Sequence, residues 1–172
     1  NASCSTSNIM ALRMSDGSVA WRSQNDPMTH ATPTLATIHG VRQVIFAAQS
    51  GLVSLNPTDG TFLWRASYGF PYGTSIGVSP VVYQDTVFIS GAQSYGMGSF
   101  AVRVSLTNGT WATTQLWANL GVFSTLASHW MTPVACDGFL YGQFGVQGFD
   151  TANAQLTCIE MRTGTVKWRT NG

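Results

Sequence analysis

A segment with the pattern of a β-hairpin recurs along this chain at constant internal spacing, and it restricts the possible folds more than any other feature. In residues 52–65, apolar and polar residues alternate on both sides of a turn at Asp59-Gly60. Such alternation is typical of two half-buried strands joined by a tight turn. Three copies keep a small residue, a turn glycine and a tryptophan at one spacing: Ala11, Gly17 and Trp21; Ser54, Gly60 and Trp64; Cys158, Gly164 and Trp168.

A fourth, irregular copy occupies residues 100–117. It keeps Asn108-Gly109 in its turn but has extra residues before Trp117. The turn glycines of successive copies lie 43, 49 and 55 residues apart. Periods of this size indicate an array of supersecondary units, and a β-propeller blade of about 40 to 50 residues is the nearest match.

A second repeated element lies between the hairpins. A Ser/Thr-Pro dipeptide opens an apolar run, which meets a turn and then a second apolar run; the openings are Thr32-Pro33, Ser79-Pro80 and Thr132-Pro133. Proline lacks the N–H that a central strand needs, but it is tolerated at the first residue of a strand. Each complete unit is therefore predicted to have four strands.

The small residue, the turn Gly and the Trp at this spacing resemble the tryptophan-docking motif of the PQQ-like, quinoprotein-type β-propeller repeat. The Ser/Thr-Pro opening fits the innermost strand of such a blade. The resemblance covers nearly the whole chain and extends to PQQ-like repeat proteins of bacterial cell envelopes. It implies that each indole packs on the small residue of its motif and against the next blade, with its N–H bonded to a main-chain carbonyl. A structural role is thus expected for Trp21, Trp64 and Trp168.

The predicted fold is all-β: a partial propeller of four-stranded antiparallel blades, with about three and a half blades in a single segment, residues 1–172. Its parts are the outer half of blade I at 1–22, blade II at 31–65, blade III at 78–117 and blade IV at 131–169. Propellers usually close with four to eight blades. We therefore expect the remaining blades of the same protein, or another chain, to complete the ring.

Composition narrows the possible partners and locations. Charged residues make up only 9% of the chain, hydrophobic residues 44%, and the net charge is +1. Such a chain offers no basic patch for nucleic acid, and no apolar run approaches the roughly 18 residues of a membrane span. Residues 1–8 lack the basic start and apolar centre of a signal peptide. With the resemblance, this composition predicts a periplasmic or secreted protein.

Few residues are candidates for chemistry. No close carboxylate pair, Asp-x-Asp run or His/Cys spacing indicates acid–base catalysis or a metal site. His39 is predicted to be exposed in a turn, and the arginines after the motif tryptophans, Arg22, Arg65 and Arg169, are predicted to face solvent. Asp26 and Asp150 are placed in loops.

A ligand site is predicted where loops of several blades gather at one mouth of the central channel. The residues that would line it are His30, Thr32, Ser79, His129, Trp130 and Thr132. The simpler alternative is that the histidines are ordinary loop residues and that Trp130 only packs.

The three cysteines do not form an obvious pair. Cys136 and Cys158 lie two strands apart in blade IV, which places them roughly 10 Å from each other, beyond disulfide reach. Cys158 is expected to be a small buried residue. A disulfide of Cys4 would involve a region outside this segment. Sequons occur at Asn1 and Asn108, the second within a hairpin turn.

Three functions remain open. The favoured one is a non-catalytic extracytoplasmic scaffold that binds proteins; a second is a scaffold for outer-membrane protein assembly. The third is a fragment of a PQQ-dependent dehydrogenase, which would bring PQQ and calcium as cofactors. In the family that activity relies on adjacent cysteines, a calcium site and a basic residue beside the quinone. No adjacent cysteines occur here, and the single lysine, Lys167, lies in an outer strand. No cofactor is therefore predicted.

Overall fold

The computed structural model describes residues 7–27, 29–68, 76–91, 98–121, 124–128, 130–145 and 154–170. Within these residues the chain forms fourteen β-strands in four antiparallel sheets and contains no helix. Three sheets have four strands that follow one another in sequence order, and one sheet has two. The predicted all-β fold, a partial propeller of four-stranded blades, is confirmed.

We call the sheets blades I to IV in chain order. Blade I consists of β1 (Ile9–Leu12) and β2 (Val19–Ser23), and blade II of β3 (Thr34–Ile38), β4 (Val41–Ala48), β5 (Gly51–Leu55) and β6 (Phe62–Ala66). Blade III consists of β7 (Val81–Tyr83), β8 (Thr86–Gly91), β9 (Gly98–Thr107) and β10 (Thr110–Leu120). Blade IV consists of β11 (Val134–Cys136), β12 (Phe139–Phe144), β13 (Gln155–Glu160) and β14 (Val166–Arg169).

One cross-strand pair recurs in every blade and explains the repeated spacing in the sequence. In the last two strands of every blade, the small residue pairs with the tryptophan: Ala11 with Trp21, Ser54 with Trp64, Ala101 with Trp117, and Cys158 with Trp168. A small side chain leaves room beside it for the indole. The extra residues before Trp117 are absorbed by a longer hairpin and by a bulge between Gln115 and Trp117.

The hydrophobic core lies between the blades. One cluster joins Ile9 of blade I to Val53 and Leu55 of blade II, and a second joins blade II to blade III. A third places Phe88 of blade III against Leu140 and Phe144 and other residues of blade IV. Because each sheet has apolar residues on both faces, a blade is stabilised mainly by its neighbours, as in other repeat proteins.

Two tryptophans dock on the hairpin turn of the next blade. The Nε1 of Trp21 donates to the carbonyl of Pro57 at 3.0 Å, and its ring covers Gly60. A Cβ added to Gly60 would lie 2.6 Å from a ring carbon of Trp21. Trp117 repeats this geometry in blade IV, with its Nε1 2.8 Å from the carbonyl of Met161 and its ring 2.6 Å from a Cβ added to Gly164.

Trp64 differs from this pattern. It is buried between blades II and III, but its Nε1 donates to the side-chain Oε1 of Gln43 in its own blade at 2.6 Å. Ser54, the small residue of its motif, donates to the same oxygen at 2.7 Å. The turn glycine of blade III, Gly109, would meet no atom within 4 Å if it carried a Cβ. The expectation that the N–H of Trp64 reaches a main-chain carbonyl was therefore wrong, because blade III presents no turn for this indole.

The docking of Trp21 on Gly60 can be measured by substituting alanine for two turn glycines, Gly60 and a control. Gly60 (φ +75°) and Gly17 (φ +72°) share a left-handed conformation, but a Cβ at Gly17 would meet no atom within 4 Å. Both substitutions should cost about 1–2 kcal/mol of backbone strain, and Gly60→Ala should lose about 1–3 kcal/mol more because it collides with Trp21. Urea unfolding of the two variants tests this difference. Equal losses would contradict the docking of Trp21 on Gly60.

Candidate binding site at the inner rim

The segments that lead into the innermost strands of blades II, III and IV meet on one side of the molecule. We call this surface the inner rim and define it as residues 29–33, 76–80 and 130–133. The rings of His30 and Trp130 lie edge to face, with centroids 6.1 Å apart at 64°. The indole of Trp130 also covers Gly77, where a Cβ would collide with it. Three blades thus contribute to one cluster around Trp130.

Hydrogen bonds join neighbouring blades along the inner rim. Thr34 Oγ1 in blade II donates to the carbonyl of Pro80 at 2.7 Å. The backbone N–H of Ser79 donates to Thr132 Oγ1 at 3.0 Å. The structure therefore brings together two pairs of the residues selected from the sequence, His30 with Trp130 and Ser79 with Thr132. Thr32 occupies the matching position before blade II and is exposed, while His129 lies outside the described residues.

The exposed part of the inner rim is apolar at its centre. Trp130 is 58% exposed and Met131 is 53% exposed, although both are large hydrophobic residues. Sequence analysis missed Met131, and its position next to Trp130 was the one signal that could have identified it. The hydroxyls of Thr32 and Thr132 supply polar groups at the margin of this surface.

Buried serines hold the segment that carries Trp130 against blade III. The backbone N–H of Ser128 donates to Ser90 Oγ at 2.8 Å. Ser99 Oγ donates to the carbonyl of Leu126 and lies 3.0 Å from Ser90 Oγ. Ser128 Oγ then donates to the carbonyl of Met131 at 2.7 Å. Because these three serines are buried and bonded, the segment before the exposed Trp130 is fixed in place.

An ion pair holds the segment that carries His30. Arg65 Nη2 lies 2.6 Å from Asp26 Oδ2, and Ser50 also donates to the carboxylate of Asp26. The hydrogen bond from Arg65 is the main reason that the pKa of Asp26 lies below its usual 3.8; the Ser50 hydroxyl and the charge of Arg65 add to it against partial burial. The prediction that Arg65 faces solvent was wrong, since a loop distant in sequence supplies its partner.

Two residues that were predicted to be exposed, Arg169 and His39, make hydrogen bonds in the structure. Arg169 donates from Nη2 to the carbonyl of Thr125 at 2.9 Å, so it binds the segment entering blade IV. Arg22 is exposed. His39 is exposed in its turn, as predicted, and its Nε2 also lies 2.9 Å from the carbonyl of Val104 in blade III. Both contacts join neighbouring parts of the array.

Cys136 is exposed and Cys158 is buried, and both are free thiols. Cys4, Asp150 and the sequon at Asn1 lie outside the described residues. Asn108 adopts a left-handed conformation, φ 50°, in the turn between β9 and β10. Within the described part of the chain, no three His, Cys, Asp or Glu side chains are grouped to hold a metal ion. The described residues likewise contain no helix long and apolar enough to cross a membrane.

The chemistry of the inner rim is that of a contact surface. An indole, an imidazole and a thioether lie beside threonine hydroxyls, and tryptophan and methionine are enriched in protein–protein interfaces. Trp130 exposes a large aromatic area at the centre of this surface.

The antiparallel blades and their spacing define a β-propeller of the PQQ-like class. More narrowly, the chain belongs to the family whose model is described as outer membrane protein assembly factor BamB, which matches residues 4–170. No curated protein matches the chain at a significant level. Among solved structures, it is similar to the crystal structure of BamB from Moraxella catarrhalis, with 14% sequence identity and a TM-score of 0.34. That match covers 89% of this chain and 53% of the BamB chain.

The ion pair of Asp26 leads to a pH-dependent prediction. A carboxylate whose pKa is lowered by folding stabilises the folded state above its unfolded pKa and loses this effect as the pH falls through the folded value. Asp26→Asn should therefore lower the free energy of unfolding by about 1–3 kcal/mol at pH 7. The difference from wild type should begin to shrink as the pH falls towards 3.8 and should disappear only below the lowered pKa of folded Asp26.

Denaturant unfolding between pH 7 and pH 2 measures this effect. Asp16→Asn is the control for an exposed carboxylate. The backbone N–H of Ser18 lowers the pKa of Asp16 too, so the change of this variant with pH gives the baseline against which the change at Asp26 is compared. A loss at Asp26 that does not change with pH would show that the ion pair does not stabilise the fold.

Proposed function

We propose that this chain is part of a non-catalytic, extracytoplasmic β-propeller that binds other proteins during the assembly of outer-membrane proteins. Membership of the BamB family over residues 4–170 is the observation that carries the proposal. The same membership supports a location in the bacterial cell envelope. A scaffold of this kind needs a rigid surface with exposed anchors and needs no reacting groups.

The inner rim is the surface that we assign to a protein partner. Its exposed centre consists of Trp130 and Met131. Both residue types are enriched in protein interfaces, and tryptophan is also among the types that contribute most to binding energy. Its segments are fixed by the serine network and by the Asp26–Arg65 ion pair. A fixed surface loses little conformational entropy when a partner binds, which favours affinity.

Site-specific photo-crosslinking in the native cells tests this function. A photoreactive amino acid at Met131 should label a component of the outer-membrane protein assembly machinery, identified by mass spectrometry. Met14 is the matched control, because it is a fully exposed methionine in the turn of blade I, away from the inner rim. Trp130→Ala should reduce labelling from Met131 about tenfold or more, as for an interface hot spot. Equal labelling from Met14 and Met131 would contradict the assignment of the surface.

The alternative of a quinone-dependent dehydrogenase predicts a different result. A scaffold should bind neither calcium nor pyrroloquinoline quinone, and the described residues contain no group of three His, Cys, Asp or Glu side chains that could hold a metal ion. Calorimetric titration of the chain with both compounds distinguishes the two functions, since micromolar binding would favour the dehydrogenase.

We also propose that a further blade, of the same protein or of another chain, covers blade IV. Trp168 is 43% exposed, whereas Trp64 at the same position in blade II is 2% exposed. Val134 is likewise exposed, whereas its counterpart Val81 in blade III is buried against blade IV. At the other end, a Cβ built on the turn glycine Gly17 would meet no atom within 4 Å, while the equivalent Gly60 is covered by an indole. Both ends therefore carry surfaces that are covered between blades elsewhere.

The cost of removing Trp168 should depend on whether such a blade is present. In this chain, Trp168→Ala should lower the free energy of unfolding by about 1 kcal/mol or less, as for a partly exposed side chain. Trp64→Ala should cost about 3–5 kcal/mol. In a polypeptide that includes a following blade, the two losses should become similar. Urea unfolding of both lengths tests this, and a Trp168 loss unchanged by the longer polypeptide would refute the covering blade.

A further inference from the structure

Three hairpin turns of the array have the same backbone structure. The turn glycines of blades I, II and IV are Gly17, Gly60 and Gly164, with φ of 72°, 75° and 73°. In each turn the glycine N–H donates to the carbonyl four residues earlier, at 2.8, 2.9 and 2.9 Å. The two-residue turn of blade III, at Asn108-Gly109, is of a different kind. The described part of the chain therefore has three turns of the kind on which its indoles dock.

Two of these three turns are covered by an indole. The turn of blade II accepts the N–H of Trp21 at the carbonyl of Pro57, and the turn of blade IV accepts that of Trp117 at the carbonyl of Met161. In both cases the acceptor lies three residues before the turn glycine, and the indole ring covers that glycine. One acceptor position and one glycine thus define the docking geometry.

The turn of blade I has the same two elements but carries no indole. The residue three positions before Gly17 is Met14, whose side chain is fully exposed. A Cβ built on Gly17 would meet no atom within 4 Å. Because its backbone matches the two covered turns, this turn is already shaped for an indole.

Trp168 is an indole without a turn. It holds the position in blade IV that Trp64 holds in blade II, but it is exposed. Trp64 bonds to Gln43 in its own blade, whereas strand pairing places Phe139, which has no side-chain acceptor, at the equivalent position of blade IV. Among the described residues, the ring of Trp168 lies against Tyr141, and no acceptor bonds to its Nε1. This N–H is therefore available to an acceptor outside blade IV.

Apolar side chains surround both features. Because Ile9 packs against blade II, its strand neighbours Met10 and Leu12 lie on the opposite face of blade I, where they are exposed. In blade IV, Val134 and Leu156 are exposed on the same face as the unpaired indole. We call the first surface, with the turn of blade I, the head and the second the tail. The head offers a docking turn beside apolar side chains, and the tail offers an indole beside apolar side chains.

We propose that two copies of this chain associate head to tail. Trp168 of one copy covers the Gly17 turn of the other, and its Nε1 donates to the carbonyl of Met14. The structure points to a second copy because one chain carries both halves of the contact on opposite ends of its array. The chain also makes a contact of this geometry twice within itself.

A closed pair would cover both ends of each copy. A head-to-tail contact joins two different surfaces, so it either closes into a ring or continues as a filament. Each copy has four sheets, and two copies reach the upper end of the range of about four to eight blades in which propellers close. This inference rests on the covering blade proposed above and identifies that blade as blade I of a second copy.

Sedimentation of the chain and its variants over a range of concentrations tests the contact. Trp168→Ala and Gly17→Ala should each raise the dissociation constant of the pair about thirtyfold or more, as for an interface hot spot. A chain that is monomeric at every concentration would overturn the proposal. So would a pair whose dissociation constant does not change in Trp168→Ala. This variant alters an exposed side chain, so it tests the contact even if Gly17→Ala does not fold.

Gly109→Ala is the matched control for Gly17→Ala. Gly109 has a φ of 78°, and a Cβ built on it would meet no atom within 4 Å, so both substitutions impose the same backbone strain. Its turn has no role in the contact, and the dissociation constant should stay within about twofold of wild type. Equal weakening by both glycine variants would contradict docking on Gly17. Urea unfolding of dilute protein shows whether the two variants are folded.

A mixture of two variants tests the direction of the contact. Copies with Trp168→Ala keep the turn and copies with Gly17→Ala keep the indole, so a mixed pair has one intact contact and a pair of identical variants has none. Native mass spectrometry should show that the mixed pair is about tenfold or more tighter than either identical pair. If the mixed pair is no tighter, the copies do not associate head to tail and the proposal is wrong.

Three further outcomes separate this proposal from others. If Trp130→Ala, but not Trp168→Ala, dissociates the pair, the copies meet through the inner rim and the proposal is wrong. If the chain is monomeric while a following blade increases the loss at Trp168, the covering blade stands and the second copy is refuted. If the pair behaves as expected while the photoreactive residue at position 131 labels no assembly component, the head-to-tail contact stands and the proposed function fails.

Discussion

The contact between an indole and a glycine turn is the interaction on which this array depends. Each blade is a thin sheet with apolar residues on both faces, so it cannot be stable without neighbours. Trp21 and Trp117 each fasten one blade to the next by covering a glycine that has no space for a side chain. Each also bonds its N–H to a carbonyl of the neighbouring hairpin. The same contact thus buries a large aromatic area and satisfies its polar atom.

The junction between blades II and III shows what happens when this contact is absent. The hairpin of blade III is too long to present its turn to Trp64, so that indole bonds to Gln43 within its own blade. Trp111, His39 and Thr113 supply other contacts between the two blades. The same long hairpin thus explains both the loss of the repeated contact and the contacts that replace it.

The inner rim depends on contacts that lie behind it. Trp130 can remain exposed because the residues before it are fixed by buried serines, and His30 follows a segment held by Asp26 and Arg65. In the segments before Trp130 and His30, hydrogen bonds and an ion pair provide the contacts that apolar packing provides for the strands. A propeller can therefore display large apolar side chains on connecting segments while its core remains between the blades.

The sequence by itself determined the strands, the turns and the repeat. Alternation, turn glycines and the small residue opposite Trp64 or Trp168 are local features, which act within one hairpin and so leave a pattern in a short window. The Ser/Thr-Pro dipeptides that open the inner strands indicated which residues would meet at the inner rim, where His30 and Trp130 do lie together. Met131 had no pattern to distinguish it from a buried methionine.

Only the tertiary structure decided the partners of these elements. Arg65 meets Asp26 across 39 residues of chain, and Trp64 meets Gln43 rather than a carbonyl of the next blade. Such contacts depend on the length of each hairpin and on the positions of the loops in neighbouring blades. A local sequence pattern contains no information about the distance between two blades.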